Sequence, residues 1–223
     1  MTADKGMNRF VWDMRYPDAE RVPKAVLWAG MLSGPVAVPG EYQVKLTVGE
    51  KSMTQVWEWK KDPRLETTQE EFQEQFDFLI KIGDKVTEVN RAIIRLRDVK
   101  RQIDDLLKRI QGHERAKEII AAGIKLKEQL KTVEDELIQS KSESRQDPLN
   151  YPIKLDNKIA ALAGVVASAD ALPTEQSYEL FRELTTEADS QLEKLKSIME
   201  FDILKFNKLV EESDIPAIIV KSL

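Results

Sequence analysis

Few side chains in this sequence have the types and spacing that chemistry demands. Asp13, Asp18 and Glu20 lie close together in a segment that also holds Phe10, Trp12 and Tyr16. A glycosidase sets two carboxylates ~5–9 Å apart, one of them a proton donor, so these three are the first acids to consider. Acidic side chains are also the ordinary furniture of turns and strand ends, and no residue of the chain is assigned to catalysis. Trp57 and Trp59 stand two positions apart in a run with strand alternation, which points both indoles to one face. Such a pair can stack on sugar rings or fill the core of a β-domain; Trp57 and Trp59 are therefore the candidate carbohydrate-binding residues. His113 is the only histidine and no cysteine is present. Neither a zinc site nor a Ser-His-Asp arrangement can be assembled on that basis. Gly30, Gly34 and Gly40 are scattered among strand signals and form no phosphate-cradling loop. No metal or cofactor is implied.

Composition narrows the partners. The 223 residues are 42% hydrophobic and 33% charged, enough apolar material for a buried core. A net charge of -5, from 34 basic and 39 acidic residues mixed along the chain, gives no basic field to hold a phosphate backbone, so nucleic acid is excluded as a partner. Basic clusters such as Arg95, Arg97, Lys100 and Arg101 have acids one helical turn away and read as self-paired, solvated faces. No apolar run approaches the ~20 residues that span a bilayer, so membrane insertion is not expected.

The elements that must position these residues fall into two compositions. All four tryptophans and most glycines and prolines precede Pro63, whereas Glu, Lys, Leu, Ile and Gln dominate afterwards. Residues 1–63 read as a partial Ig-like antiparallel β-sandwich of about four strands. Residues 8–14 and 42–48 alternate, and Gly49-Glu50-Lys51 turns the second of these runs into 52–59 as a hairpin. An ordinary sandwich has about seven strands. Residues 64–223 read as an antiparallel helical bundle. Thr67 and Thr68 stand three residues before Glu70 and Glu71 and predict a capped helix start. Apolar residues then recur from Phe72 to Ile110, from Ile119 to Leu137, from Ile153 to Val166, and from Tyr178 through Ile198, Phe201 and Leu204 to Leu209. The first and last runs are ~60 Å long as helices, and the two middle ones together match that length, which favours three arms with the middle one broken near residues 140–152. Residues 215–220 form an apolar tail suited to docking on the β-unit. The fold class expected is α+β, predominantly α.

The stretch Gly6-Met7-Asn8-Arg9-Phe10-Val11-Trp12-Asp13-Met14-Arg15-Tyr16-Pro17, with Val38-Pro39-Gly40-Glu41-Tyr42-Gln43-Val44-Lys45-Leu46-Thr47-Val48, resembles the late strands of an Ig-like domain of the flagellar-hook-capping type. It is similar more specifically to the C-terminal region of bacterial exported proteins of the BNR-repeat or sortilin-like (VPS10-type) glycosyl hydrolase family. Gln146-Asp147-Pro148-Leu149-Asn150-Tyr151-Pro152, Lys158-Ile159-Ala160-Ala161-Leu162, Pro173-Thr174-Glu175-Gln176 and Phe206-Asn207-Lys208-Leu209 extend the likeness through the helical part. In that family a β-propeller precedes this region and holds any active site; no propeller repeat occurs here, so the resemblance carries over no catalytic residue. It implies an exported parent protein and a non-catalytic structural or interaction module that meets a protein partner or a second copy of itself. A carbohydrate-binding accessory role for Trp57 and Trp59 is the alternative.

Overall fold

The computed structural model describes residues 5–113 and 116–213. It is α+β and predominantly α. One antiparallel hairpin, β1 (Gly40–Val48) and β2 (Lys51–Trp59), precedes five helices, α1 (Gln69–Ile110), α2 (Lys117–Leu137), α3 (Leu155–Val166), α4 (Glu175–Ser197) and α5 (Ile203–Glu212). The hairpin register runs from Gly40 opposite Trp59 to Val48 opposite Lys51. Gly49, at φ 59°, supplies the left-handed residue that a two-residue turn requires.

Capping fixes where the long helices begin. The Thr68 side chain accepts from Glu71 N–H at 3.2 Å, and the Glu71 carboxylate accepts from Thr68 N–H at 2.8 Å, a reciprocal pair that satisfies two orphan donors of α1. Thr174 plays the N-cap role for α4 through Ser177 N–H. From there α1 rises through the molecule, with Ile82, Val86, Val89, Ile93 and Leu96 fully buried along one stripe. The return path is α2 followed by α3. Arg97 pairs with Glu134 on α2 and, nearer the start of α1, the Gln75 amide reaches Val166 O at the end of α3. Lys127 of α2 pairs with Asp104 further up. The last arm, α4 and α5, runs parallel to α1, as the contacts Tyr178–Glu74 and Lys85–Asp189 show. The bundle has three arms, and the middle one is broken between Leu137 and Leu155 by an irregular stretch holding the short turn Asp147–Leu149.

Two departures from the sequence reading stand out. The last arm is not one continuous α-helix: Ile198–Asp202 is a π-helical turn, closed by Ile203 N–H on Ile198 O. One inserted residue rotates everything downstream by about 100°. Phe201 and Leu204, expected on the seam, are therefore 60% and 57% exposed, while Ile198 and Phe206 are buried.

The second departure concerns the β-part. Among the described residues there are two strands in one sheet, so there is no second layer to make a sandwich. Residues 8–14 form no strand, and Phe10 and Val11 are exposed. Residues 14–37 instead make a strap doubled back on itself, with a single bridge between Arg15 and Val36 and the bonds Tyr16 N–H to Pro35 O and Ala19 N–H to Leu32 O. Pro17, Pro23 and Pro35 interrupt it, and proline contributes no ladder donor, which confines the pairing to a bridge. Val22 and Leu32 of the strap belong to the same buried cluster as the helices, so residue 63 does not separate two cores. The tail at residues 215–220 lies outside the described residues.

Candidate functional site

Asn157, at the start of α3, anchors the strap. Its side-chain oxygen accepts from Trp28 N–H at 2.7 Å and its amide donates to Trp28 O at 2.7 Å, while Met31 N–H donates to Ala160 O. Across the strap, Asn90 of α1 donates to Glu20 O at 2.6 Å and the Thr87 hydroxyl accepts from Glu20 N–H. Gly34 fits where a Cβ would stand 2.0 Å from Tyr16 O, so the doubled strap needs glycine there. The three acids singled out from sequence are absorbed by this scaffold. Asp13 accepts from Arg15 N–H, Asp18 from Gly34 N–H, and Glu20 pairs with Arg91 at 2.7 Å. The structure gives each a positioning bond and brings no two of them together over a cleft. His113 lies in the turn after α1, its N–H donating to Ile110 O. Among the described residues no group of His, Asp and Glu could hold a metal ion, and no helix is long and apolar enough to cross a membrane.

The hairpin leaves much of one apolar face exposed. By the strand register Tyr42, Val44, Leu46 and Val48 share one face with Lys51, Met53, Gln55, Trp57 and Trp59, and the opposite face carries Glu41, Gln43, Lys45, Thr47, Ser52, Thr54, Val56 and Glu58. Such alternation belongs to a sheet with one buried face. Here the apolar face is covered only at its base. Trp57 stacks on Tyr42, with centroids 5.4 Å apart, and Trp12 meets both rings edge-on at 6.2 and 6.0 Å. Further out, Val44, Leu46, Val48 and Met53 are between 51% and 75% exposed. Burial raises the Tyr42 hydroxyl pKa above its ordinary value, and the hydroxyl donates to Val38 O at 2.5 Å. The Trp57 indole N–H is enclosed and meets no acceptor among the described residues.

Trp59 sits beside a cleft of about 310 Å³ at the foot of the hairpin, bounded by Arg15, Asp62, Phe72, Phe76 and Asp170. Its centroid is 6.5 Å from that of Trp57 at 74°, so the two indoles share a face without forming a flat platform.

Sequence reasoning did not find the buried charges between the arms. Glu134 accepts from Arg97 at 2.7 Å and from Lys100 at 2.6 Å. Burial pushes its carboxyl up, but the two cationic hydrogen bonds outweigh it and hold the pKa below the usual value. Asp156, at the start of α3, is 2% exposed and its carboxyl is pushed up to about 7, chiefly by burial, against the Asn157 backbone hydrogen bond and the Arg97 charge. An acid in a first helical turn is an ordinary sequence feature, and nothing in the spacing shows that the fold buries this one.

These features define a helical bundle with a strapped flank and an amphipathic β-ribbon open to solvent. No family model, curated protein or solved structure matches the chain.

Proposed function

We propose that the chain is a non-catalytic structural and interaction module, the C-terminal part of a larger exported protein, in which the three-arm bundle is a rigid spacer and the β1–β2 ribbon its docking element. The observation that carries this reading is the open apolar face of the ribbon. Exposed apolar patches of this kind on folded chains mark sites of association, and a lone two-stranded ribbon is at best marginally stable without a partner surface. The fate of Asp13, Asp18 and Glu20 supports the non-catalytic part, since each is spent on a backbone or ion-pair contact. The parental context rests on the resemblance to the BNR-repeat and sortilin-like glycosyl hydrolases. The test is hydrolysis of a panel of aryl glycosides and polysaccharides by the purified chain: no turnover is expected, and turnover abolished by Asp13→Asn would overturn the reading.

A carbohydrate-binding role is the second reading, and the position of Trp59 beside the basal cleft favours it. Trp57 contributes less, because Tyr42 occupies one of its faces. Tryptophan emission titrated with oligosaccharides decides it: saturable quenching lost in Trp59→Ala supports sugar binding, and a flat titration removes it.

A further inference from the structure

We infer that the occupant of the open ribbon is a second copy of this chain, joined through the outer edge of β2 in an antiparallel, two-fold pairing centred on Gln55. The inference rests on the interaction-module reading and names its partner.

The ribbon has two free edges, and they are not alike. Natural proteins guard exposed edges with charge. The outer strand β1 carries Glu41 and Lys45, the latter in mid-strand, whereas β2 has no charge from Ser52 to Trp57. Its backbone is also phased for pairing. A two-residue loop makes Val48 and Lys51 the closing hydrogen-bonded pair, and alternation from there turns the N–H and C=O groups of Ser52, Thr54, Val56 and Glu58 outward; the Val56 carbonyl accepts from the Gln55 side-chain amide at 3.3 Å, a bond that pairing exchanges for one from the second copy. Centring on Gln55 sets Thr54 against Val56 of the second copy and Ser52 against Glu58, so all four outward residues meet their counterparts. Gln55 faces its own copy as a non-hydrogen-bonded pair, the kind in which side chains lie closest.

The side chains agree with this register. Met53 falls opposite Trp57 of the second copy, extending each aromatic cluster with a sulfur–arene contact. Lys51 falls opposite Trp59, a cation beside an indole, and Ser52 can donate to Glu58. No like charges face each other. The product is a four-stranded sheet ordered β1-β2-β2-β1, above the three strands that a sheet needs for independent stability. Antiparallel pairing sends the two bundles off opposite ends of the sheet.

The experiment is sedimentation velocity on the full chain across concentration, with substitutions at Gln55, which faces Val44 within its own ribbon and is exposed. A species of twice the chain mass is expected for the unaltered protein. Gln55→Lys and Gln55→Glu alone each place like charges face to face and should weaken association at least 10-fold, and an equimolar mixture of the two should restore it. Because the chain has no cysteine, Gln55→Cys should form a disulfide-linked dimer under mild oxidation, and Lys45→Cys on β1 should not. A chain that remains monomeric through the high-micromolar range, or a dimer indifferent to Gln55→Lys and not linked by Gln55→Cys, would overturn the inference. The second of those outcomes leaves the interaction-module reading standing on another face, whereas glycosidase turnover would remove that reading without touching the dimer.

Discussion

Asp156→Asn should make the protein more stable, and increasingly so as the pH rises. Asp156 is 2% exposed, and one of its oxygens accepts the Asn157 backbone N–H at 2.6 Å. Burial lifts its carboxyl to about 7 in the folded protein, while an unfolded aspartate titrates near ~3.9. A folded-state pKa above the unfolded one means that, between those two values, the fold retains a proton that the unfolded chain has released. Stability therefore declines as pH rises from ~4 to ~7 and is level above that. At ~1.4 kcal/mol per unit, the ~3-unit gap removes about 4 kcal/mol by pH 8 and only about 1.5 kcal/mol by pH 5. Asparagine keeps the shape and the acceptor and does not titrate. Glu134 works in the opposite sense. Its lowered pKa contributes stability above the unfolded carboxylate range that is lost as pH falls through the folded value, on the acid side of ordinary glutamate titration. Urea unfolding followed by helical ellipticity at pH 5 and pH 8 measures the effect. The advantage of Asp156→Asn should grow by about 2–3 kcal/mol between the two; an advantage constant within ~0.5 kcal/mol would refute burial as the cause.

Asn157→Ala removes both bonds that hold the Trp28 backbone and leaves two partly buried groups unpaired, a loss of about 2–4 kcal/mol; amide exchange at Trp28 and Met31 should accelerate with it, and unchanged exchange would mean that the strap is held elsewhere. Leu130 is fully buried on the α2 seam, so Leu130→Asp should cost several kcal/mol by thermal unfolding, and an unchanged melting temperature would place it outside the core. Because the π-helical turn carries Phe201 and Leu204 into solvent, Phe201→Glu combined with Leu204→Glu should leave stability within ~0.5 kcal/mol per site. A drop of many degrees would restore them to an uninterrupted seam.

The parts of the fold that were legible are those set by short-range signals. Thr68 and Glu71 announce the start of α1, and Pro173-Thr174 that of α4, because capping is a matter of three or four neighbouring residues. The seam of α2 is buried at Ile119, Gly123, Leu126, Leu130, Val133 and Leu137, as its spacing predicts. The hairpin follows from alternation around Gly49-Glu50. What escaped is held by side chains reaching backbone far away in sequence. Asn90 on Glu20 O and Asn157 on Trp28 tie residues 14–37 down as a strap, and Gln75 on Val166 O ties α1 to the end of α3; no local pattern encodes any of these bonds. The π-helical turn is equally silent, since Leu195, Ile198, Phe201 and Leu204 keep a plausible helical spacing while the backbone slips by one residue. For the candidate site, the shared face of Trp57 and Trp59 was visible from their spacing, but the covering of Trp57 by Tyr42 and Trp12 was not, because it depends on where residue 12 is carried by the strap.

The claim that the ribbon serves association and the bundle stands without it is tested most directly by shortening the ribbon. Tyr42 and Trp57 are paired across the hairpin, so replacing residues 43–56 with Asn-Gly closes a two-residue turn on that pair and keeps the basal aromatic cluster. Thermal unfolding followed by helical ellipticity should give a melting temperature within about 2 °C of the unaltered chain, the shift expected for less than about 1 kcal/mol in a domain of this size, with self-association gone. A melting temperature lowered by ten degrees or more would show that the ribbon is part of the structural core and contradict the account.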